Sequence, residues 1–389
     1  MMDVLTVVGA RPQFIKASAL SRAFLSAGTD ISERILHTGQ HPDEGMSGVF
    51  FAELGMPAPH HHLTLTATDV AGRLGQIMQG ISSVVAASRP DVMLVYGDTD
   101  STWAGAWVAA RHGIPLVHVE AGLRSGDRTM PEEINRILTD HVSDVLFCPT
   151  EQAVANLARE GIFHSTDDAQ GRRVEVRVTG DILCDVARWA AEAHRNLRVP
   201  GPGSGKFTGI SGLVTLHRPA NVDDLPRLLR WMEALGQVAR SAPGGLIFPV
   251  HPRTAAALER AWGAGWRENL EQRGVQVVPP LSYMELAALL AEVEWVLTDS
   301  GGLQKEAFFH GKPCWVARPV TEWGELVDGG WAHLAPEPAV WAAAMLSDGG
   351  HFPPPGDAQW RVPLYGDGFA AEAMVAALVQ WWETHSSRR

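Results

Sequence analysis

Three acids lie where a chain of this kind does chemistry. Asp98 closes the run Leu94-Val95-Tyr96-Gly97-Asp98, and Glu120 closes Leu116-Val117-His118-Val119-Glu120. Glu132 opens Met130-Pro131-Glu132-Glu133-Ile134-Asn135-Arg136. In an open α/β sheet, ligands sit at the carboxyl ends of the strands. Carboxylates gathered there in unlike environments suit proton transfer, one acting as acid and another as base. Each taken singly has a blander reading. Asp98 could cap a turn, and Glu132 and Glu133 are acids at a helix start, where the dipole favours them. All three together favour chemistry.

A second set of residues suits an anion. In Leu297-Thr298-Asp299-Ser300-Gly301-Gly302-Leu303-Gln304-Lys305-Glu306, a strand passes through a Ser-Gly-Gly turn directly into a helix. Free backbone N–H groups and the positive dipole end then face the ligand, and glycine lets a phosphate approach closely. Glu306, one turn into the helix, is placed to accept hydrogen bonds from a ribose diol. In Gly9-Ala10-Arg11-Pro12-Gln13-Phe14-Ile15-Lys16, Arg11 follows the first strand and is positioned to reach a diphosphate, with Lys16 further along. His217 and His251 stand at strand ends and could donate to a departing diphosphate. His60-His61-His62 reads as surface, because adjacent side chains diverge and no acid is spaced to complete a metal site.

These residues need strand tips to carry them. Short apolar runs (4–9, 91–98, 115–121, 145–149) alternate with helical patterns (101–112, 131–143, 151–161). That rhythm predicts βαβ units and a parallel sheet. It pauses at 197–212, where Pro200-Gly201-Pro202-Gly203-Ser204-Gly205 reads as a linker. It resumes with strands at 213–217, 246–251, 275–279, 295–299 and 313–318, separated by helices at 224–241, 253–262, 284–292 and 301–311. A proline-rich loop at 349–357 precedes a last helix at 369–384, whose Trp381-Trp382 pair is expected to pack at a domain interface. Two α/β domains facing a cleft are the economical architecture.

Composition narrows the partners. The 389 residues are 46% hydrophobic and 20% charged, too long a chain for one core. A formal net charge of −12 without Lys/Arg-rich runs argues against nucleic acid and anionic membranes. Cys148, Cys184 and Cys314 occur in apolar runs without a CxxC pair, so buried free thiols and no metal are expected. The N-terminal segment enters a strand without a basic flank or long apolar stretch. A soluble cytoplasmic protein is expected.

The ordered strings resemble those of the non-hydrolysing UDP-N-acetylglucosamine 2-epimerase family almost end to end. They are Gly9-Ala10-Arg11-Pro12, His37-Thr38-Gly39-Gln40-His41, Gly97-Asp98-Thr99, His118-Val119-Glu120-Ala121-Gly122-Leu123-Arg124 and Pro131-Glu132-Glu133. They continue in Thr179-Gly180-Asp181, His217-Arg218, Pro249-Val250-His251, Thr298-Asp299-Ser300-Gly301-Gly302 and Tyr365-Gly366-Asp367-Gly368. The resemblance implies two Rossmann-like parallel-sheet domains of GT-B type: residues 1–185 with the C-terminal helix 369–389 packed back on them, and a UDP-binding domain at 186–368. It also implies a homodimer with no cofactor and no metal.

The implied chemistry interconverts UDP-GlcNAc and UDP-ManNAc by anti elimination of UDP to 2-acetamidoglucal and re-addition, supplying cell-surface polysaccharide precursors. Carried over by resemblance, Asp98, Glu120, Glu132 and His217 are catalytic, with the acid and base roles open. Arg11, Lys16, Arg136, His251, Ser300, Gly301, Gly302 and Glu306 bind substrate or UDP. Gln40, His41, Arg73 and Arg218 match a second, allosteric UDP-GlcNAc site, although Asp43 and Pro219 depart from its pattern. Thr321-Glu322-Trp323-Gly324-Glu325 looks instead like the subgroup acting on UDP-2,3-diacetamido-2,3-dideoxy-glucuronate, the first alternative. A UDP-sugar glycosyltransferase of the same fold is the second.

Overall fold

The computed structural model describes residues 1–28, 31–40, 48–164, 174–197, 209–347 and 364–386. The chain forms two compact units, Met1–Val186 with Pro363–Arg389, and Ala187–Val362. The linker at 200–205, the loop at 349–357, His41 and Asp43 lie outside the described residues.

Unit 1 alternates strands and helices: β1 (Met2–Val8), α1 (Arg11–Ser26), β2 (Ile31–His37), α2 (Gly48–Glu53), β3 (His61–His62) and α3 (Val70–Ala87). It continues with β4 (Val92–Tyr96), α4 (Asp100–His112), β5 (Leu116–Val119), α5 (Pro131–Val142), β6 (Val145–Cys148), α6 (Glu151–Arg159) and β7 (Glu175–Val178). Helix α7 (Ile182–Leu197) follows. The seven strands pair in the order β3-β2-β1-β4-β5-β6-β7, all parallel. β1 and β4 are apolar apart from Asp3 and Thr6 and buried apart from Asp3, as expected for strands covered on both faces. Thr6 and Asp3 are satisfied within the sheet: Thr6 donates to Glu33, and Asp3 accepts two hydrogen bonds from Arg34.

Unit 2 repeats the architecture. It contains β8 (Gly212–Thr215), α8 (Pro219–Val222), α9 (Leu225–Ser241), β9 (Leu246–Pro249), α10 (Pro252–Trp262), α11 (Trp266–Glu271) and β10 (Val275–Val278). It continues with α12 (Tyr283–Glu292), β11 (Trp295–Thr298), α13 (Gly301–Phe309), β12 (Cys314–Val316), α14 (Gly324–Asp328), β13 (Ala332–Leu334) and α15 (Pro338–Ser347). The order β10-β9-β8-β11-β12-β13 is again parallel. Its core holds Trp231, Trp295 and Trp341, with ring centroids 5.8 and 6.1 Å apart around Trp341.

The last helix, α16 (Ala370–Ser386), belongs to unit 1 and packs against α1. The buried Asp185 carboxylate at the start of α7 accepts the N–H groups of Ala370 and Ala371, at 3.0 and 2.7 Å. An acid at a helix start is favoured by the dipole and satisfies orphan donors. Cys148 and Cys314 are buried free thiols, as expected, whereas Cys184 on α7 is only half-buried.

Candidate active site

Strand order locates the sites before any side chain is considered. In unit 1 the order reverses between β1 and β4, and in unit 2 between β8 and β11. Ligands bind beyond the carboxyl ends at such switch points. Gly9-Ala10-Arg11 follows β1 and Gly97-Asp98 follows β4; His217 follows β8 and Asp299-Ser300-Gly301 follows β11.

In unit 1 one buried amide fastens the switch point. Gln13 Oε1 accepts the N–H groups of Gly9 and Ala10, at 2.8 and 3.2 Å. Its Nε2 donates to the Tyr96 carbonyl at 2.8 Å and to Thr102 Oγ1 at 3.0 Å. The turn after β1 is thereby tied to the end of β4. Gly9 is required beside it, since a Cβ there would overlap Ser101 Oγ and Thr38 Oγ1. Those two hydroxyls bond each other at 2.7 Å.

The acids then fall into three situations. Asp98 forms an ion pair with Arg136 of α5, which also holds Glu133 at 2.7 Å. Asn135 donates to the Asp98 carbonyl and to Asp100, both at 3.1 Å. Glu120 forms an ion pair with Lys16 of α1, with both side chains mostly buried. Glu120 is also the one non-glycine residue at positive φ among those described, at 70°. A bulky residue there is strained, and such strain concentrates at functional positions. Glu132 is exposed, and its side chain makes no hydrogen bond or ion pair with the described residues.

Glu133 is spoken for. It is buried and accepts from the Ser125 and Gly126 N–H groups at 2.9 and 3.0 Å, as well as from Arg136. Burial opposes its ionisation, but these donors outweigh it and hold its carboxyl below the usual range. Of the two neighbours, Glu132 is therefore the one whose carboxylate the described residues leave uncommitted. Lys16 and Arg136, expected at substrate or UDP, contact the acids directly, Lys16 at Glu120 and Arg136 at Asp98.

Unit 2 fastens its switch point with a carboxylate. Asp299 is fully buried and accepts from the N–H groups of His217 (3.0 Å) and Arg218 (2.9 Å) and from Asn221 Nδ2 (3.0 Å). Asn221 in turn donates to the Ala317 carbonyl and accepts from Arg227 and Trp231. The His217 and His251 rings lie 5.5 Å apart. Burial lowers the His217 pKa, Asp299 opposes that shift, and His251 and Arg218 reinforce it. His251 also caps α10, accepting the Arg253 N–H at 3.2 Å.

At the start of α13 the Ser300 side chain makes no capping bond, and Gly302 is exposed. A Cβ on Gly301 would overlap the Glu322 carboxylate, which Arg318 holds at 2.8 Å. Trp323 donates its indole N–H to the Gly301 carbonyl at 3.0 Å and covers the buried Lys305 ammonium, 4.3 Å from the ring centre. The departure noted at Trp323 thus braces the first turn of this helix. Glu306 is buried and accepts from the Tyr283 hydroxyl at 3.2 Å.

The residues matched to the allosteric pattern are partly committed elsewhere. Gln40 Oε1 accepts from the Ser101 N–H at 2.9 Å, Arg73 donates to the Gln40 carbonyl, and Arg218 is exposed. His61 and His62 form the edge strand β3, and His62 packs edge-on to His37 with centroids 4.5 Å apart. Arg11 begins α1 and is half-buried. Sequence reading passed over Gln13, Asn135, Asp299 and Asn221. Each has a partner distant in the chain, such as Tyr96 for Gln13, Asp98 for Asn135 and Asp299 for Asn221, that only the crossover topology brings near.

Two parallel-sheet α/β units, with acids at one switch point and an anion-ready helix start at the other, define the GT-B class of nucleotide-sugar proteins. The chain belongs to the UDP-N-acetylglucosamine 2-epimerase family, whose profile matches residues 24–379. Its members are isomerases. A Pseudomonas aeruginosa protein named UDP-2,3-diacetamido-2,3-dideoxy-D-glucuronate 2-epimerase is 45% identical over 85% of this chain and 87% of its own. A Methanocaldococcus jannaschii UDP-N-acetylglucosamine 2-epimerase is 37% identical over 85% and 87%. The crystal structure of the M. jannaschii UDP-GlcNAc 2-epimerase with UDP-GlcNAc and UDP matches with a TM-score of 0.78 at 33% identity, covering 97% of this chain and all of that one.

Proposed function

We propose that this chain inverts C2 of a UDP-linked 2-acetamido sugar, with UDP-GlcNAc and UDP-ManNAc as the interconverted pair. The observation that carries this is the pairing of strand-end acids with their own cations, Asp98 with Arg136 and Glu120 with Lys16. The C2 hydrogen of such a sugar has no adjacent carbonyl to acidify it. Departure of UDP from C1 creates oxocarbenium character, and only then can a carboxylate take the proton. The intermediate is 2-acetamidoglucal; return of UDP with protonation on the other face of C2 completes the inversion. Two proton-handling positions are needed, and Asp98, Glu120 and Glu132 supply candidates. Ser300, Gly301, Gly302, Glu306, Arg11, His217 and His251 would hold the nucleotide and stabilise the leaving diphosphate. Homodimerisation, a cytoplasmic location and a role in polysaccharide precursor supply accompany this reading.

A second substrate is favoured by a specific observation. The relative named for the diacetamido-glucuronate is 45% identical, against 37% for the M. jannaschii relative named for UDP-GlcNAc. Proton NMR in deuterated water separates the two: enzyme is incubated with each nucleotide sugar alone, without acceptor. Deuterium at C2 of UDP-GlcNAc supports the first reading, and deuterium only at C2 of the diacetamido uronate supports the second. Exchange in neither would overturn both, and turnover that demands an acceptor would point to a glycosyltransferase.

A further inference from the structure

We propose that His118 is a positioning residue for both strand-end acids, held as a doubly protonated imidazolium between Gly97 and Asp140. The proposal rests on the reading of Asp98 and Glu120 as the groups that work on substrate. His118 lies on β5 and Asp140 on α5, and both side chains are fully buried. The ring touches two acceptors. Nε2 is 2.8 Å from the Gly97 carbonyl and Nδ1 is 2.7 Å from Asp140 Oδ1. A carbonyl only accepts, so Nε2 carries a proton.

The other side of Asp140 decides the state of Nδ1. Asp140 Oδ2 accepts the Gly122 N–H at 3.2 Å and the Arg124 guanidinium at 2.7 Å. A carboxylate already serving a cation and a backbone donor stays ionised, and Oδ1 then accepts from the ring. Charges are tolerated in such a place when paired and hydrogen-bonded. Here they balance along the row His118, Asp140, Arg124 and Glu160, the last two joined by hydrogen bonds of 2.8 and 2.7 Å.

What the pair holds is the backbone on either side of the chemistry. Gly97 immediately precedes Asp98, and Gly122 lies two residues after Glu120. Gly97, Glu120 and Gly122 all have positive φ, at 62°, 70° and 78°. One imidazolium–carboxylate pair therefore pins two left-handed turns, each aiming an acid, without itself reaching substrate. A misplacement of about 1 Å at reacting groups can cost on the order of 10²-fold in rate.

The test combines kinetics with direct observation of the ring. In full-length protein labelled with 15N-histidine, the His118 resonances are assigned by their loss in His118→Gln and their shift in Asp140→Asn. Protons on both ring nitrogens at neutral pH are expected; one bare nitrogen would overturn the proposal. His118→Leu should lower kcat by about 10- to 100-fold, with KM and UDP affinity within about twofold. His118→Gln, which keeps an amide donor for the Gly97 carbonyl, should recover part of that loss. A folded His118→Leu with unchanged kcat, or one whose loss appears equally in UDP affinity, refutes positioning. If the wild-type protein epimerises neither nucleotide sugar, the functional reading fails, and the ring signature still judges the clamp on its own.

Discussion

The two switch points share one topology and have opposite electrostatics. In unit 1 the tie across the switch is the neutral Gln13 amide, and the carboxylates of Asp98 and Glu120 are paired with the cations Arg136 and Lys16. In unit 2 the tie is itself a carboxylate, Asp299, whose oxygens are taken up by N–H groups. The opening it leaves presents histidines and the start of α13. The difference is instructive. On the proposed function, a neutral side chain does the fastening where negative charge must remain available, and the local acid is buried and satisfied where the diphosphate would be received.

The comparison can be broken from several sides. The largest effect is expected from Asp98→Asn or Glu120→Gln, which should lower kcat by about 10²- to 10⁴-fold while calorimetry still detects UDP binding. Full activity in both would remove these acids from the mechanism. Next comes Asp299→Ala, which leaves three donors, the Asn221 amide among them fully buried, without their acceptor and should destabilise by about 3–5 kcal/mol in urea denaturation. Gln13→Ala should cost less, about 1–3 kcal/mol, because its partners are neutral. Equal losses would mean that the two ties are not electrostatically distinct.

Acid should weaken both units through histidines kept neutral. His37 in unit 1 is pushed down to about 4 by burial and by His62, and His310 in unit 2 to about 4 by burial and by Lys312. Between the unfolded value of about 6.5 and the folded value, the unfolded chain binds protons that the folded chain refuses. Stability is therefore full above that window and falls as pH drops through it. For His310 the loss between pH 7 and 5 should be about 1–2 kcal/mol, and His310→Asn should flatten that part of the denaturation profile. His37, also buried and shifted to the same value, should contribute a loss of similar size. The smallest change is expected from Trp323→Phe. It keeps a ring over Lys305 but loses the bond to the Gly301 carbonyl, so UDP should bind about 2- to 10-fold more weakly by titration calorimetry. An unchanged affinity would detach Trp323 from the nucleotide end.

The strands with continuous apolar runs, β1, β4, β5 and β6, were legible because burial on both faces leaves a period-free signature. β2 was not, since Glu33 and Arg34 interrupt it. Their partners Thr6 and Asp3 are visible only once β1 lies alongside. β3 spans two histidines and has no pattern to read. The acids were legible as types at strand ends. Their cations were not, because Lys16 meets Glu120 across 104 positions and Arg136 meets Asp98 across 38. Separations of that size are set by which strand neighbours which, and local spacing carries no trace of them.

An ion pair holds Glu120 on a strained backbone. Its left-handed backbone costs this position about 1–2 kcal/mol that a glycine would not incur. Glu120→Gly would relieve that strain but leave the mostly buried Lys16 ammonium without its carboxylate, a loss of about 3–5 kcal/mol, so the variant is expected to melt below the wild-type protein as well as lose turnover. A screen selecting only for thermal tolerance therefore has no glycine escape at position 120.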